Sequence, residues 1–375
     1  MRKLKVITIV GTRPEIIRLS ALIPKLDKFT DHVLVHTGQN SDPQLNDVFF
    51  GDLELRKPDY YLDVDTSSMG SVMGDTLQKC EQVLKKEVPD AVMILGDTNS
   101  AIAAVVAERM HIPVYHMEAG NRSFDANVPE ELNRRMVDHV SSFNLPYNDY
   151  SLRNLLREGI HPRRISKTGS PIPEIFDKFR EKITSRKIVD QLGLISQQYI
   201  LVSVHRQENV DLPNRLDAIL HGLSSIHRHF ELPVLVSTHP RTRARLEAAN
   251  KSSIDGITFH EPFGYLDYNN LQMNAFCVVS DSGTISEESA ILKFSAVSIR
   301  DSIERPEALE TGSIILTGLD SNNLLRSIEL ATTSHGTGLP EGYEVRDFSE
   351  RVIRFLFSTS SLNSQWAGFH EVRDK

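Results

Sequence analysis

Short runs of β-branched and aliphatic residues recur along the chain, each followed by a polar turn and then by apolar positions at helical spacing. The first half contains KVITIVG, HVLVHTG, AVMILGD and PVYHMEA; the second contains YILVSVH, PVLVSTH, FCVVSDSG and SAVSIR. These runs are apolar at consecutive rather than alternating positions, the pattern of strands covered on both faces. Stretches between them, such as AIAAVVAERM and LQKCEQVLKKE, repeat apolar residues every three or four positions, as amphipathic helices do. The pattern predicts βα units and parallel sheets, and therefore an α/β protein of two Rossmann-like, doubly wound domains. Gly169, Pro171 and Pro173 interrupt it in TGSPIPEIFDKF. This places one domain over 1–170 and a second over 171–345. The helical stretch DFSERVIRFLF, in the remainder 346–375, has no strand after it and is expected to cross back to the first domain before a loosely ordered tail.

Length agrees with two domains, since 375 residues exceed what one hydrophobic core usually supports. A net charge of −8 leaves no electrostatic footprint for nucleic acid or an anionic membrane. Cys80 and Cys277 are far apart and lack a partner motif, so neither a disulfide framework nor a zinc site is indicated, which fits the cytoplasm. The start MRKLKVITIVG imitates a signal peptide, but Gly11, Thr12, Arg13 and Pro14 cut its apolar run short. No other window approaches the ~20 apolar residues that span a bilayer. The expectation is a soluble cytoplasmic protein acting on a small molecule, without nucleic-acid or membrane partners.

In open parallel sheets ligands bind beyond the carboxyl ends of the strands. Polar residues gather there in this sequence: Arg13, Asp97, Glu118, His205, His239, and Asp281 with Ser282 each follow an apolar run. In GTRPE, Arg13 projects from a strand-to-helix turn where a helix dipole favours an anion. In SDSGTISEES, the Ser282 hydroxyl and the amides around Gly283 suit phosphate oxygens, and Glu287 or Glu288 suits ribose hydroxyls; the same residues also read as a helix cap on Ser282 or Thr284. MEAGNRSFDANVPEELNRR crowds Glu118, Asp125, Glu130 and Glu131 among Arg122, Arg134 and Arg135, which reads either as a solvated helix face or as a site. Neither GxGxxG, a P-loop, a G-x-S-x-G elbow nor metal-ligand histidine spacing is present, so no cofactor and no metal are expected.

In this order the motifs GTRPEIIR, LGDTNS, MEAGNRSFDANVPEELNR, VHRQEN, SDSGTISEES and IRDSIERPEALETG resemble the non-hydrolysing UDP-N-acetylglucosamine 2-epimerase family, from about Lys5 to Gly318. The resemblance implies a glycosyltransferase-B-like fold with two domains facing each other across a cleft. It also implies an isomerase that uses neither metal nor nicotinamide, usually a homodimer. It assigns catalysis to Asp97, Glu118, Glu130 and His205, and binding of the nucleotide and its diphosphate to Arg13, Ser282, Gly283, Glu288 and Arg305. Arg134, one helical turn beyond Glu130, is expected to orient it.

The family's usual lysine is Arg18 here, its second glycine is Thr284, and its Gln-His, in a segment for an activating UDP-N-acetylglucosamine, is Gln39-Asn40. VHTGQN, FFGDLELRKPDYYL and AGNRSFD resemble the branch that converts UDP-2-acetamido-2,6-dideoxy-L-talose to UDP-N-acetyl-L-fucosamine for capsule or O-antigen. The implied chemistry removes the C2 proton as UDP leaves C1, giving a 2-acetamidoglycal, then returns a proton to the opposite face. The alternatives are epimerisation of UDP-N-acetylglucosamine to UDP-N-acetylmannosamine, sugar transfer to an acceptor, and non-catalytic sensing of a UDP-sugar.

Overall fold

The computed structural model describes residues 2–39, 50–334 and 338–369, and Asn40 lies outside them. The chain forms two compact units: Met1–Asp177 together with Glu344–Lys375, and Lys178–Tyr343.

The first unit holds a six-stranded sheet of β1 (Lys5–Val10), β2 (Asp31–His36), β3 (Tyr60–Tyr61), β4 (Ala91–Leu95), β5 (Val114–Met117) and β6 (Phe143–Leu145). The strands lie in the order β3-β2-β1-β4-β5-β6, and every pair is parallel. All five residues of β4 are buried, which is why its sequence, AVMIL, carries no alternation. Helix Met69–Glu87 starts at Ser68, whose hydroxyl accepts the Ser71 amide at 3.1 Å, and it lays Cys80, Val83 and Leu84 against Ile7, Ile9, Val92 and Ile94 of the sheet. Helix Phe348–Thr359 covers the other end of the same sheet. There Phe355 meets Phe143 edge-on at 5.5 Å, and the Thr359 hydroxyl lies 2.7 Å from that of Tyr115.

The second unit repeats the design with β7 (Ile200–Ser203), β8 (Val234–Ser237), β9 (Ile257–His260), β10 (Cys277–Ser280), β11 (Ala296–Ser298) and β12 (Ile315–Leu316). Its order, β12-β11-β10-β7-β8-β9, is that of the first sheet when each is numbered from its own first strand, and it too is wholly parallel. In both sheets the winding reverses between the first and fourth strands, β1 and β4 in one and β7 and β10 in the other. Loops on either side of such a reversal part from each other and leave the crevice in which doubly wound folds take ligands. Both units are thus Rossmann-like, doubly wound and wholly parallel, as the sequence pattern predicts. Among the described residues, no helix is long and apolar enough to cross a membrane, and no group of three or more histidine, cysteine or acidic residues could hold a metal ion.

Candidate functional site

At the first unit's switch point, β1 runs into Gly11 and Thr12 and then into the helix Arg13–Leu19, with half-buried Arg13 and exposed Pro14 in its first turn. Glu15, buried beneath this turn, accepts the Gly11 amide at 3.1 Å, the Thr12 hydroxyl at 2.7 Å and the Ser100 hydroxyl at 2.5 Å. Ser100 belongs to the loop after β4, so a single carboxylate ties the two loops flanking the reversal. Burial raises the Glu15 pKa, and these hydrogen bonds oppose the rise.

Asp97 follows β4 through Gly96, whose φ is +72°, and Glu118 follows β5 with its own φ at +64°. A non-glycine residue held in that left-handed region costs about 1–2 kcal/mol, so the surrounding contacts must hold it there. The Arg18 guanidinium pairs with the Glu118 carboxylate, and the Asn121 amide donates to it at 3.2 Å. Arg134 donates through Nε to Asp97 Oδ2 at 2.6 Å and through Nη1 to Glu131 Oε2 at 3.1 Å. These partners correct the sequence-based pairing of Arg134 with Glu130. On the helix Pro129–Val140 the residue three positions back, Glu131, shares the buried face, while Glu130 sits half-buried in the first turn. Burial pushes the Glu131 pKa up, but the Ser123 amide and hydroxyl and the Arg134 guanidinium outweigh it and hold it below the ordinary value.

That helix buries Glu131, Arg134 and Asp138 beside Val137. An inward face this rich in charge is the mark of a site rather than of a core. The three residues recur at a spacing of three and then four, a signal present in the sequence. Sequence reasoning nevertheless singled out neither Asp138 nor the supporting Glu15.

The second unit's switch point is organised around Asp281. Fully buried at the end of β10, it accepts the His205 amide at 3.1 Å, the Arg206 amide at 3.0 Å and the Asn209 side-chain amide at 2.9 Å, all from the loop after β7. His205 is thereby fixed by its backbone. Its ring stays exposed, with Nδ1 3.3 Å from Asp281 and the ring centre 6.4 Å from that of His239. A Cβ at Gly283 would lie 3.4 Å from Arg206 Nη2, so the two loops meet there. Ser282 Oγ accepts the Thr284 amide at 3.3 Å and lies 3.0 Å from the Thr284 hydroxyl. Thr284 occupies the N-cap position of the helix Ile285–Leu292 in helical φ/ψ without a side-chain cap bond of its own, and the Ser282 hydroxyl takes the amide just ahead of the first turn.

One turn on, Glu288 accepts the Gln272 side-chain amide at 2.8 Å, and buried Arg305 pairs through Nη2 with buried Glu287 at 3.0 Å. The structure thus joins Arg18 to Glu118 and Arg134 to Asp97 in the first unit. In the second it joins the loops bearing His205 and Gly283, whereas the side chains of Glu288 and Arg305 engage other partners.

Residues 25–356 match the model of the family described as UDP-N-acetylglucosamine 2-epimerase. A UDP-N-acetylglucosamine 2-epimerase from Rickettsia bellii shares 40% identity at a TM-score of 0.91, with 98% of this chain and all of the other covered. The Methanocaldococcus jannaschii UDP-GlcNAc 2-epimerase crystallised with UDP-GlcNAc and UDP shares 36% identity at a TM-score of 0.89, over 95% of this chain and all of that one. The UDP-2,3-diacetamido-2,3-dideoxy-D-glucuronate 2-epimerase of Pseudomonas aeruginosa is 33% identical over 363 residues, 94% of this chain and 99% of its own. The chain belongs to the UDP-N-acetylglucosamine 2-epimerase family, a family of isomerases.

Proposed function

We propose that this enzyme inverts C2 of a UDP-2-acetamido sugar by eliminating UDP and adding it back. The observation that carries the reading is the pair of carboxylates Asp97 and Glu118 at the ends of adjacent strands, each oriented by a guanidinium from a different helix. C2 of such a sugar is not α to a carbonyl, so its proton leaves only in concert with the C1–O bond. One carboxylate takes the C2 proton while the C1–O electron pair departs with UDP, and the C–H pair becomes the C1=C2 bond of a 2-acetamidoglycal. A proton delivered to the other face of C2 and attack of the diphosphate oxygen on C1 complete the inversion. Glu130 and His205 are the further candidates for proton transfer. Arg13 and Arg18, with Ser282, Gly283, Glu288 and Arg305, are assigned to the nucleotide, its diphosphate and the sugar.

The substrate we favour is UDP-2-acetamido-2,6-dideoxy-L-talose, on the wording of VHTGQN, FFGDLELRKPDYYL and AGNRSFD. UDP-N-acetylglucosamine is the second reading, supported by the family's name and by the Rickettsia bellii and Methanocaldococcus jannaschii relatives. A cytoplasmic homodimer supplying capsule or O-antigen synthesis fits the first. NMR of the products formed from both sugar nucleotides in D₂O tests the proposal. Inverted C2 carrying deuterium, with a trace of UDP and glycal, is the expected result. Efficient turnover of UDP-N-acetylglucosamine alone transfers the assignment to the second reading, and inversion with neither deuterium nor glycal overturns the mechanism.

A further inference from the structure

Beneath the loops that carry Asp97 and Glu118 runs a chain of buried polar groups that the proposed chemistry does not use. His116, the third residue of β5 and almost wholly buried, has Nε2 2.8 Å from the carbonyl oxygen of Gly96, the residue before Asp97. Its Nδ1 lies 2.9 Å from Asp138 Oδ1, off the direction of a hydrogen bond. Asp138 is fully buried and accepts the amide of Gly120, two residues beyond Glu118, at 3.1 Å and 3.2 Å through its two oxygens. Arg122 Nη2 reaches Asp138 Oδ2 at 2.8 Å and forks with Nε onto Glu158 at 2.6 Å and 2.8 Å. Burial lowers the Arg122 pKa, but the Glu158 and Asp138 carboxylates outweigh it and hold the guanidinium above its ordinary value.

A buried ionic network of this kind is a poor source of stability, since apolar residues of the same volume often replace one without loss. Its position points to another use. The backbone it grips turns through positive φ at Gly96, Glu118 and Gly120, which glycine accepts freely and which is strained at Glu118. Strain persists only where the surroundings over-determine it. A Cβ at Gly120 would come within 2.3 Å of the Ser151 carbonyl oxygen, so the segment has no room to relax in that direction.

We propose that His116 and Asp138 are positioning residues that set the spacing of the Asp97 and Glu118 carboxylates by holding the Gly96 carbonyl and the Gly120 amide. The inference rests on the epimerase reading of those carboxylates. Displacement of a reacting group by about 1 Å lowers a rate on the order of 10²-fold.

The test is a set of variants in the full chain, with kcat and KM determined separately and UDP affinity measured by calorimetry as a check on folding. His116→Leu and Asp138→Leu should each lose on the order of 10²-fold in kcat with KM and UDP affinity changed by less than about threefold. His116→Gln, whose amide can donate to Gly96, and Asp138→Asn, whose oxygen can accept from Gly120, should recover most of that loss. If a leucine variant does not fold, His116→Asn decides. Its shorter amide falls short of Gly96, so its kcat should lie at least about tenfold below that of His116→Gln. Equal kcat in the asparagine and glutamine variants, or wild-type kcat in the leucine variants, overturns the proposal. Wild-type protein inert toward every UDP-2-acetamido sugar sinks the epimerase reading and this inference together. An active wild type with fully active leucine variants removes the inference alone.

Discussion

In the first unit the strand-end carboxylates are each held by an arginine side chain, Glu118 by Arg18 and Asp97 by Arg134, while Glu15 joins Thr12 and Ser100 and also takes the Gly11 amide. In the second a single carboxylate, Asp281, gathers two backbone amides and one side-chain amide, with the partly exposed His205 ring 3.3 Å from it through Nδ1. Strand order is the same in both, so the difference lies in what the edge is built to present. Oriented carboxylates suit proton transfer to and from carbon, while the half-buried hydroxyls and the glycine amide of the Ser282–Thr284 turn suit phosphate oxygens. On that contrast we propose acid–base work for the first unit and anion binding for the second.

The sharpest way to break the comparison is to neutralise the first edge alone. Asp97→Asn and Glu118→Gln should each reduce kcat by ~10²–10⁴ while calorimetric UDP affinity stays near wild type. Large losses of UDP binding instead would erase the division of labour. Next in size is Asp281→Ala, which strands three donors whose bonds to a charged acceptor are each worth about 1.5–3 kcal/mol. UDP affinity should fall at least about tenfold, with a lowered melting temperature; Arg305→Ala, which strands buried Glu287, should also lower both, whereas Glu288→Ala should act mainly on UDP binding; unchanged affinity in all three removes the nucleotide assignment.

A further contrast is between two histidines. His36, buried at the end of β2 and stacked on Tyr61 at 4.8 Å, is pushed down by burial from 6.5 to about 4, whereas the His205 ring is exposed. A folded-state pKa below the unfolded value means the unfolded chain binds the proton first. Stability is therefore full above pH 6.5 and declines as pH falls toward 4, by about 3 kcal/mol for this group. Denaturant titrations of His36→Gln should show a shallower decline over that window. A slope identical to wild type would mean that another group sets it.

Central strands were legible in the sequence because both of their faces are buried and their composition shows it. The edges β3, β6 and β12, two or three residues long and paired on one side only, carry too little apolar pattern to stand out. Strand-end positions marked Asp97, Glu118 and His205 as candidates, since topology alone sends them to the ligand edge. What the sequence could not convey was pairing. Glu130 and Glu131 are equally plausible partners for Arg134 by spacing, and only the direction of the helix's buried face separates them. Asp281 likewise reads as a ligand-facing carboxylate until its three donors are seen.

The second unit is an insertion into the first, whose chain breaks off at Asp177 and resumes at Glu344. During synthesis at ~5–20 residues per second, the rings of Tyr115 and Phe143 wait on the order of ten to fifty seconds for the helix that brings Phe355 and Thr359 to cover them. Vectorial folding therefore cannot finish the domain that begins first. Its nascent form carries an uncovered aromatic face through the whole translation of its neighbour, which makes it the stage at which a ribosome-associated chaperone has most to protect.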